Sequence, residues 1–222
     1  MISLFFKQII STDEKLIFKK VYNDKIISLD VSGNSKQYIN GSMQLTKPEY
    51  AIYPWDKRYD WCSNCIYDYK EYPYIIFSLI GRKFRFNGYL LRCGCCYDGC
   101  CCDDGYGCFD CCLYSWKLLI SDDNITWNEV HKVEKDYEMI RCKEKSYKFE
   151  KTYTAKYIKL IQTANCPGYP ACIAINKIDF YGDTLLTDVQ AEANDDFVSF
   201  HDDDEDVSII GHISKNGNVK FD

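Results

Sequence analysis

Nine of the chain's fourteen cysteines fall within the twenty residues 93–112, CGCCYDGCCCDDGYGCFDCC. Gly94, Gly99, Gly105 and Gly107 lie among them, with several aspartates. Apolar periodicity is absent, and glycine and aspartate break helix and strand alike, so the stretch reads as a loop held by its sulfurs. Strand-like segments flank it, residues 89–92 before and 115–120 after. The loop is therefore expected at the tip of a hairpin-like unit.

The chemistry of those sulfurs is constrained by spacing. Adjacent Cα atoms are about 3.8 Å apart, below the usual disulfide span of roughly 4.4–6.8 Å. The runs Cys95-Cys96, Cys100-Cys101-Cys102 and Cys111-Cys112 must look elsewhere, to other cysteines or to metal. Nine is odd, so full pairing would need at least one of Cys62, Cys65, Cys142, Cys166 and Cys172. Two C-x-x-C pairs, Cys62/Cys65 and Cys108/Cys111, have the bite of zinc ligands, at a separation that matches no standard zinc module. Free thiols, structural zinc and disulfides all stay open. The segment MISLFFK has no basic n-region, and its apolar run is too short for a signal peptide. No stretch approaches the ~18 apolar residues of a membrane span. A cytoplasmic location is expected, where thiols stay reduced, and this favours free thiols or metal over disulfides.

A chain of 222 residues that is 46% apolar buries one core, giving one domain with a tail. Nineteen tyrosines and twelve phenylalanines favour sheet over helix. From Asp183 onward eleven acids stand against two lysines, a net of −9, which leaves +3 of the total −6 on residues 1–182. That charge is too weak and diffuse for a nucleic-acid partner. Short apolar runs suggest strands at 2–10, 15–21, 25–31, 71–79, 84–92 (broken at Asn87-Gly88), 115–120, 127–133, 146–149, 155–162 and 174–181. Residues 34–60 are expected to be irregular and 134–145 a charged linker. No long amphipathic helix and no internal repeat is evident. The pattern is that of an all-β sandwich or barrel.

The blocks YPYIIFSLIGRKFRFNGYLLRCG, SWKLLISDDNITWNEV, AKYIKLIQT and INKIDFYG follow one another over about residues 25–182. In this order they resemble discoidin domains, the coagulation-factor type C family. The resemblance implies a galactose-binding-like jelly-roll β-sandwich, here with a Cys-rich loop insertion and an acidic C-terminal tail. The expected division is an N-terminal β extension (1–24), the discoidin-like domain (25–182) and the tail (183–222). Discoidin domains bind through loops at one end of the sandwich, which map here to residues 53–67, the Cys loop and 164–172. Trp61, in DWCSN, is similar to the family's tryptophan near the first of these loops.

The resemblance thus brings cysteines from separate segments to one end, where Cys62, Cys65, Cys108, Cys111, Cys166 and Cys172 are candidate ligands for structural zinc. Trp55, Arg58, Trp61, Tyr97, Tyr106 and Phe109 are the candidate ligand-gripping residues, since exposed rings grip sugars, partner side chains or membrane interfaces. Trp61 also suits packing beneath the loops. Asp98, Asp103 and Asp104 suit turns better than calcium, lacking an EF-hand-like spacing. His131, His201 and His212 lie far in sequence from the cysteine groups, and no G-x-S-x-G, Walker or Rossmann pattern occurs, so no enzyme is expected. In the tail, seven acids in 195–206 precede Val207, Ser208, Ile209 and Ile210, an order that resembles a SUMO-interacting motif. Asn216-Gly217 suits a hairpin turn. The leading expectation is a non-catalytic protein–protein interaction subunit of an intracellular, cytoskeletal or ciliary assembly. The alternatives are a lectin-like carbohydrate- or lipid-binding domain using the loop end, and a metal- or redox-buffering protein.

Overall fold

The structure, a computed structural model, describes residues 15–66, 71–97 and 112–187, together with the backbone of 212–213 and 219–220. It opens with a short helix, α1 (Ile17–Val21), followed by the strands β1 (Ile27–Val31), β2 (Lys36–Ile39), β3 (Ser42–Leu45), β4 (Trp61–Cys62), β5 (Tyr74–Leu79) and β6 (Arg82–Cys93). After the Cys-rich segment come β7 (Ser115–Ser121), β8 (Asn128–Val133), β9 (Glu144–Ala155), β10 (Tyr157–Ala164) and β11 (Ala174–Leu186). Strands β12 (His212–Ile213) and β13 (Val219–Lys220) pair antiparallel, as the Asn216-Gly217 signal anticipates.

Two antiparallel layers face each other. One runs β1-β5-β10-β7-β8 and the other β4-β11-β6-β9. The β5–β6 hairpin joins them through a single pair, Leu79↔Arg82, across a turn in which Gly81 takes φ 67°. Side chains from both inner faces fill the space between. Phe77 of β5 meets Phe180 of β11 at 5.5 Å, and Phe180 meets Phe86 of β6 at 5.4 Å. Rings in such edge-on contact pack densely and add directional stabilisation of about 0.5–1.5 kcal/mol per pair.

β6 shows how sequence parity sets the inner face. Phe84 and Phe86 point inward, and then Tyr89, Leu91 and Cys93 do so. A switch from even to odd positions requires one extra residue, because strand side chains alternate. The bulge at Asn87-Gly88 supplies it, so the expected break is instead a continuous strand with a register shift. Only glycine fits at 88, where a Cβ would lie 2.3 Å from the Tyr147 carbonyl oxygen.

Three other expectations are corrected. Residues 17–21 form a helix, not a strand, and Ile17, Phe18 and Val21 are fully buried in the sandwich core. The helix has no side-chain cap of its own at Leu16. Its first amides donate instead to Asp179 of β11, from Phe18 N (2.8 Å) and Lys19 N (3.0 Å). Residues 34–60 are not irregular throughout, since β2 and β3 form a hairpin about Asn40-Gly41 and a 3₁₀ turn spans Pro48–Ala51. Finally, β9 runs twelve residues where four were anticipated.

Candidate functional site

The loops between strands gather at one end of the sandwich, as the resemblance implies. Ile66 bridges Ala171, Cys112 bridges Ile140, and Cys142 N donates to the Gly94 carbonyl at 3.0 Å. Segments 60–66, 93–97, 112–114, 139–143 and 164–173 therefore meet there.

Their foundation is a buried carboxylate. Asp60 is fully buried and accepts from Gln37 Nε2 (2.9 Å), Asn176 Nδ2 (2.9 Å) and the backbone amides of Cys95 and Cys96 (3.0 Å each). A buried charge is tolerated only when its lone pairs are all engaged, and this one is engaged by three separate segments. It ties the start of the Cys-rich segment to β11 and to β2. Lys57, half-buried beside it, donates to the Asn176 carbonyl. Burial lowers its ammonium pKa to about 8, opposed by the charge of Asp60.

Sulfur staples the same end. Disulfides join Cys95 to Cys142 and Cys112 to Cys166, and Cys62 and Cys96 are disulfide-bonded as well. This overturns the preference for reduced or metal-bound thiols. Cys62 and Cys166 cannot serve as zinc ligands while oxidised, because only the thiolate ligates. Cys65 and Cys172 are half-buried next to the Ile66–Ala171 bridge, and Cys108 and Cys111 lie outside the described residues. Among the described residues no group of three or more His, Cys, Asp or Glu is arranged to hold a metal. Cys93 is a buried thiol in no disulfide, and burial pushes its pKa up to about 12, which keeps it unreactive.

The aromatic candidates separate into three groups. Trp61 is fully buried, with its indole N–H donating to Asn34 Oδ1 at 2.8 Å, so it supports the loops and meets no ligand. Arg58 stacks its guanidinium 5.5 Å over the ring of Tyr97, and both are exposed. Trp55, 48% exposed, stacks on Tyr53 at 4.6 Å and 25°, with Tyr22 edge-on to Trp55 at 5.2 Å. Tyr106 and Phe109, like the tail residues Val207, Ser208, Ile209 and Ile210, lie outside the described residues.

Tyr53 and Trp55 form a stacked shelf, with Tyr50 and Tyr59 packed against Tyr53 at 5.8 and 6.4 Å and against each other at 4.5 Å. Burial, with the neighbouring phenols, pushes the Tyr53 hydroxyl up to about 12, so the shelf is uncharged at neutral pH. Asp56 anchors the loop through Arg92 (2.8 Å), which also holds Glu144 (2.8 Å). That pairing keeps the Asp56 carboxyl below the usual range. Beside Tyr22 lies a cavity of about 260 Å³ lined by Asn23, Lys25, Ile27, Glu49 and Ile52. An exposed stacked ring pair next to a cavity lined by amide, ammonium and carboxylate groups can hold a molecule that has one apolar face and polar edges.

Tyr22, Tyr50, Tyr53 and Tyr59 were not singled out from the sequence. For the last three the signal was present as the aromatic density of YAIYPWDKRYDW, in a segment without strand alternation, whereas Tyr22 stands outside it. Asp60 and Asn176 carried no local signal, since their partners lie 35 and 116 residues away.

No protein-family model matches the sequence, and no characterised protein matches it in sequence. Solved structures do resemble the fold. CpGH89CBM32-5 from Clostridium perfringens, in complex with GalNAc-β-1,3-galactose, superposes with a TM-score of 0.51 at 12% identity, over 76% of this chain and all of that one. The family 32 carbohydrate-binding module of NanJ from the same organism, in complex with galactose, gives 0.49 at 9% identity, over 75% and 97%. Chitosan-binding module 1 of a chitosanase/glucanase from Paenibacillus sp. IK-5 gives 0.47 at 16%, over 70% and 94%. The chain has the galactose-binding-like jelly roll of discoidin-type domains, the fold of the first of these modules.

Proposed function

We propose that this chain is a non-catalytic carbohydrate-binding module whose sugar seat is the Tyr53–Trp55 shelf and the cavity beside Tyr22. The observation that carries the reading is the exposed, stacked shelf, pinned by the Asp56–Arg92–Glu144 pairs and set next to a cavity lined by Asn23, Lys25 and Glu49. The fold it stands on is shared with a module that holds GalNAc-β-1,3-galactose, which supports the substrate class. A rigid shelf loses little entropy on binding, so modest contact area suffices.

The test is calorimetric titration of the full chain with galactose, GalNAc-β-1,3-galactose and chitosan oligomers. At least one is expected to bind, and Trp55→Ala to weaken that binding tenfold or more with the fold intact by circular dichroism. Silence toward all three, or unchanged affinity in the variant, overturns the reading.

The protein-interaction role expected first has one observation in its favour. Tyr38, Met43 and Leu45 of the β2–β3 hairpin are 44%, 53% and 57% exposed, with Tyr38 directly paired to Met43. A concentration-dependent shift in sedimentation, abolished by Met43→Lys, would support it. The disulfides favour maturation where thiols oxidise over the cytoplasmic location expected from the sequence.

A further inference from the structure

A second cavity, of about 640 Å³, opens where β6 is irregular against both of its neighbours. On β11 two steps separate Phe180 from Gly182, while three separate their partners Tyr89 and Phe86 on β6. On the other side, two steps on β6 from Phe86 to Gly88 face five on β9 from Tyr153 to Lys148. Bulges of this kind re-aim side chains and recur beside binding sites. Here both fall at one level of one strand, and the ladder parts around them.

What the bulges expose is cationic. Arg85 and Asn87 reach the cavity from β6, Lys148 and Thr152 from β9, and Lys15 from the segment before α1. The Tyr181 ring, 7% exposed, gives the cavity a fixed aromatic wall. Lys148 Nζ sits 3.1 Å from the centre of the Tyr181 ring, which holds the ammonium at the cavity. Asp183 also reaches the wall, cross-strand from Arg85, and its Oδ1 accepts from Lys20 Nζ at 2.6 Å and from Thr184 N at 2.9 Å. Those bonds, Lys20 first, hold its pKa below the usual value. Arg85 and Lys15 make no ion pair among the described residues. Three cations thus converge next to an amide and a hydroxyl, and the one carboxylate among the lining residues, Asp183, is already paired with Lys20.

We infer that this cavity is a binding site for a tetrahedral oxyanion, a sulfate or phosphate group, separate from the shelf at Trp55. A guanidinium presents a planar fork of donors matched to two oxygens of such a group, and the lysines add point charges. Asn87 and Thr152 supply neutral donors to the remaining oxygens. The volume lies within the roughly 300–1,000 Å³ of ligand pockets, so the site has room for the group and for what it is esterified to. The inference stands whether or not the shelf binds sugar.

The experiment is a nuclear magnetic resonance titration of the full chain at low ionic strength. Sodium sulfate, sodium phosphate, galactose 6-sulfate and galactose are the four probes. The amides of Arg85, Asn87 and Lys148 are expected to shift with sulfate or phosphate and with galactose 6-sulfate. In Arg85→Ala and Lys15→Ala the affinity is expected to fall tenfold or more, while Trp55→Ala and Lys47→Ala, an exposed lysine outside the cavity, retain it. Tighter binding of galactose 6-sulfate than of sulfate assigns the site to an esterified group, and equal binding assigns it to the free ion. Absent shifts at these amides, or equal loss in Lys47→Ala, overturn the inference. Arg85→Lys serves as the folding control, and it keeps part of the affinity if charge rather than structure is at stake.

Discussion

Tyr89 gives the most exacting test of how the core is held. Its ring is fully buried between the layers and stacks on Tyr147 at 4.8 Å. Its hydroxyl accepts from the indole N–H of Trp116 at 2.9 Å and donates to His131 Nδ1 at 2.9 Å. Burial raises the phenol pKa far above its ordinary value and lowers that of His131, against the pull of Glu129. Tyr89→Phe keeps the ring and its packing but removes the shared oxygen. Trp116 is fully buried, so its N–H is left without a partner, at a cost of about 1–3 kcal/mol. His131 is only half-buried and recovers a water, so the second bond adds about 0.5 kcal/mol. The expected loss is about 1.5–3.5 kcal/mol, or roughly 3–14 °C in Tm for a chain of this length.

Urea unfolding at pH 7.5 reads this directly, with an unchanged m-value expected. In the Tyr89→Phe background, Trp116→Phe is expected to cost about 1–2 kcal/mol less than in the wild type, because the orphaned donor disappears. The pH dependence has a definite sign. A histidine with a folded pKa below its unfolded value contributes stability above about pH 6.5, and loses it as pH falls toward the folded value. Losing the hydrogen bond frees Nδ1 for a proton, so the His131 pKa is expected to rise and that slope to shrink. A variant within about 0.5 kcal/mol of wild type, with no coupling to Trp116, would refute the account.

Two further outcomes follow from the same reasoning. The Cys112–Cys166 disulfide spans a separation of 54 residues, for which loop-closure entropy sets an upper stabilisation of about 4 kcal/mol. Replacing both residues by serine is expected to lower stability by about 2–4 kcal/mol in chemical unfolding, while leaving the far end's amide exchange unchanged. Asp179, whose pKa burial raises to about 6 against three backbone donors, favours its protonated form on folding. Wild-type stability should therefore fall by up to about 3 kcal/mol as pH rises from about 4 to about 6, a slope that Asp179→Asn abolishes.

How far the sequence disclosed this molecule depended on how local each signal was. The strands around Trp116 and Leu160 were legible because alternating burial is written into consecutive residues. The helix Ile17–Val21 was not, since IFKKV satisfies a short strand as well as one helical turn. What decides is Asp179, which caps the helix from some 160 residues away and leaves no trace beside it in the chain. The hairpin about Asn40-Gly41 carried a plain turn signal, with φ 49° and 85° at those residues, but polar flanks hid its strands.

At the loop end the limit is combinatorial. Convergence of the loops was implied by the resemblance to discoidin domains, whereas the pairing of the sulfurs was not, because many connectivities satisfy the same spacing. Cys142 shows why. It lies in a charged stretch that reads as a linker, and it reaches Cys95 only because β6 and β9 run side by side and bring Arg92 opposite Glu144. The sulfur network is thus a consequence of the sheet, not its cause. The core residues of β5, β6, β10 and β11 bury themselves without it, and the disulfides then fix loops that have little apolar surface of their own. Such an end can vary in sequence while its scaffold stays constant, and it leaves the aromatic shelf, which rests on Asp60, Asn176 and Arg92, positioned by the body of the sandwich.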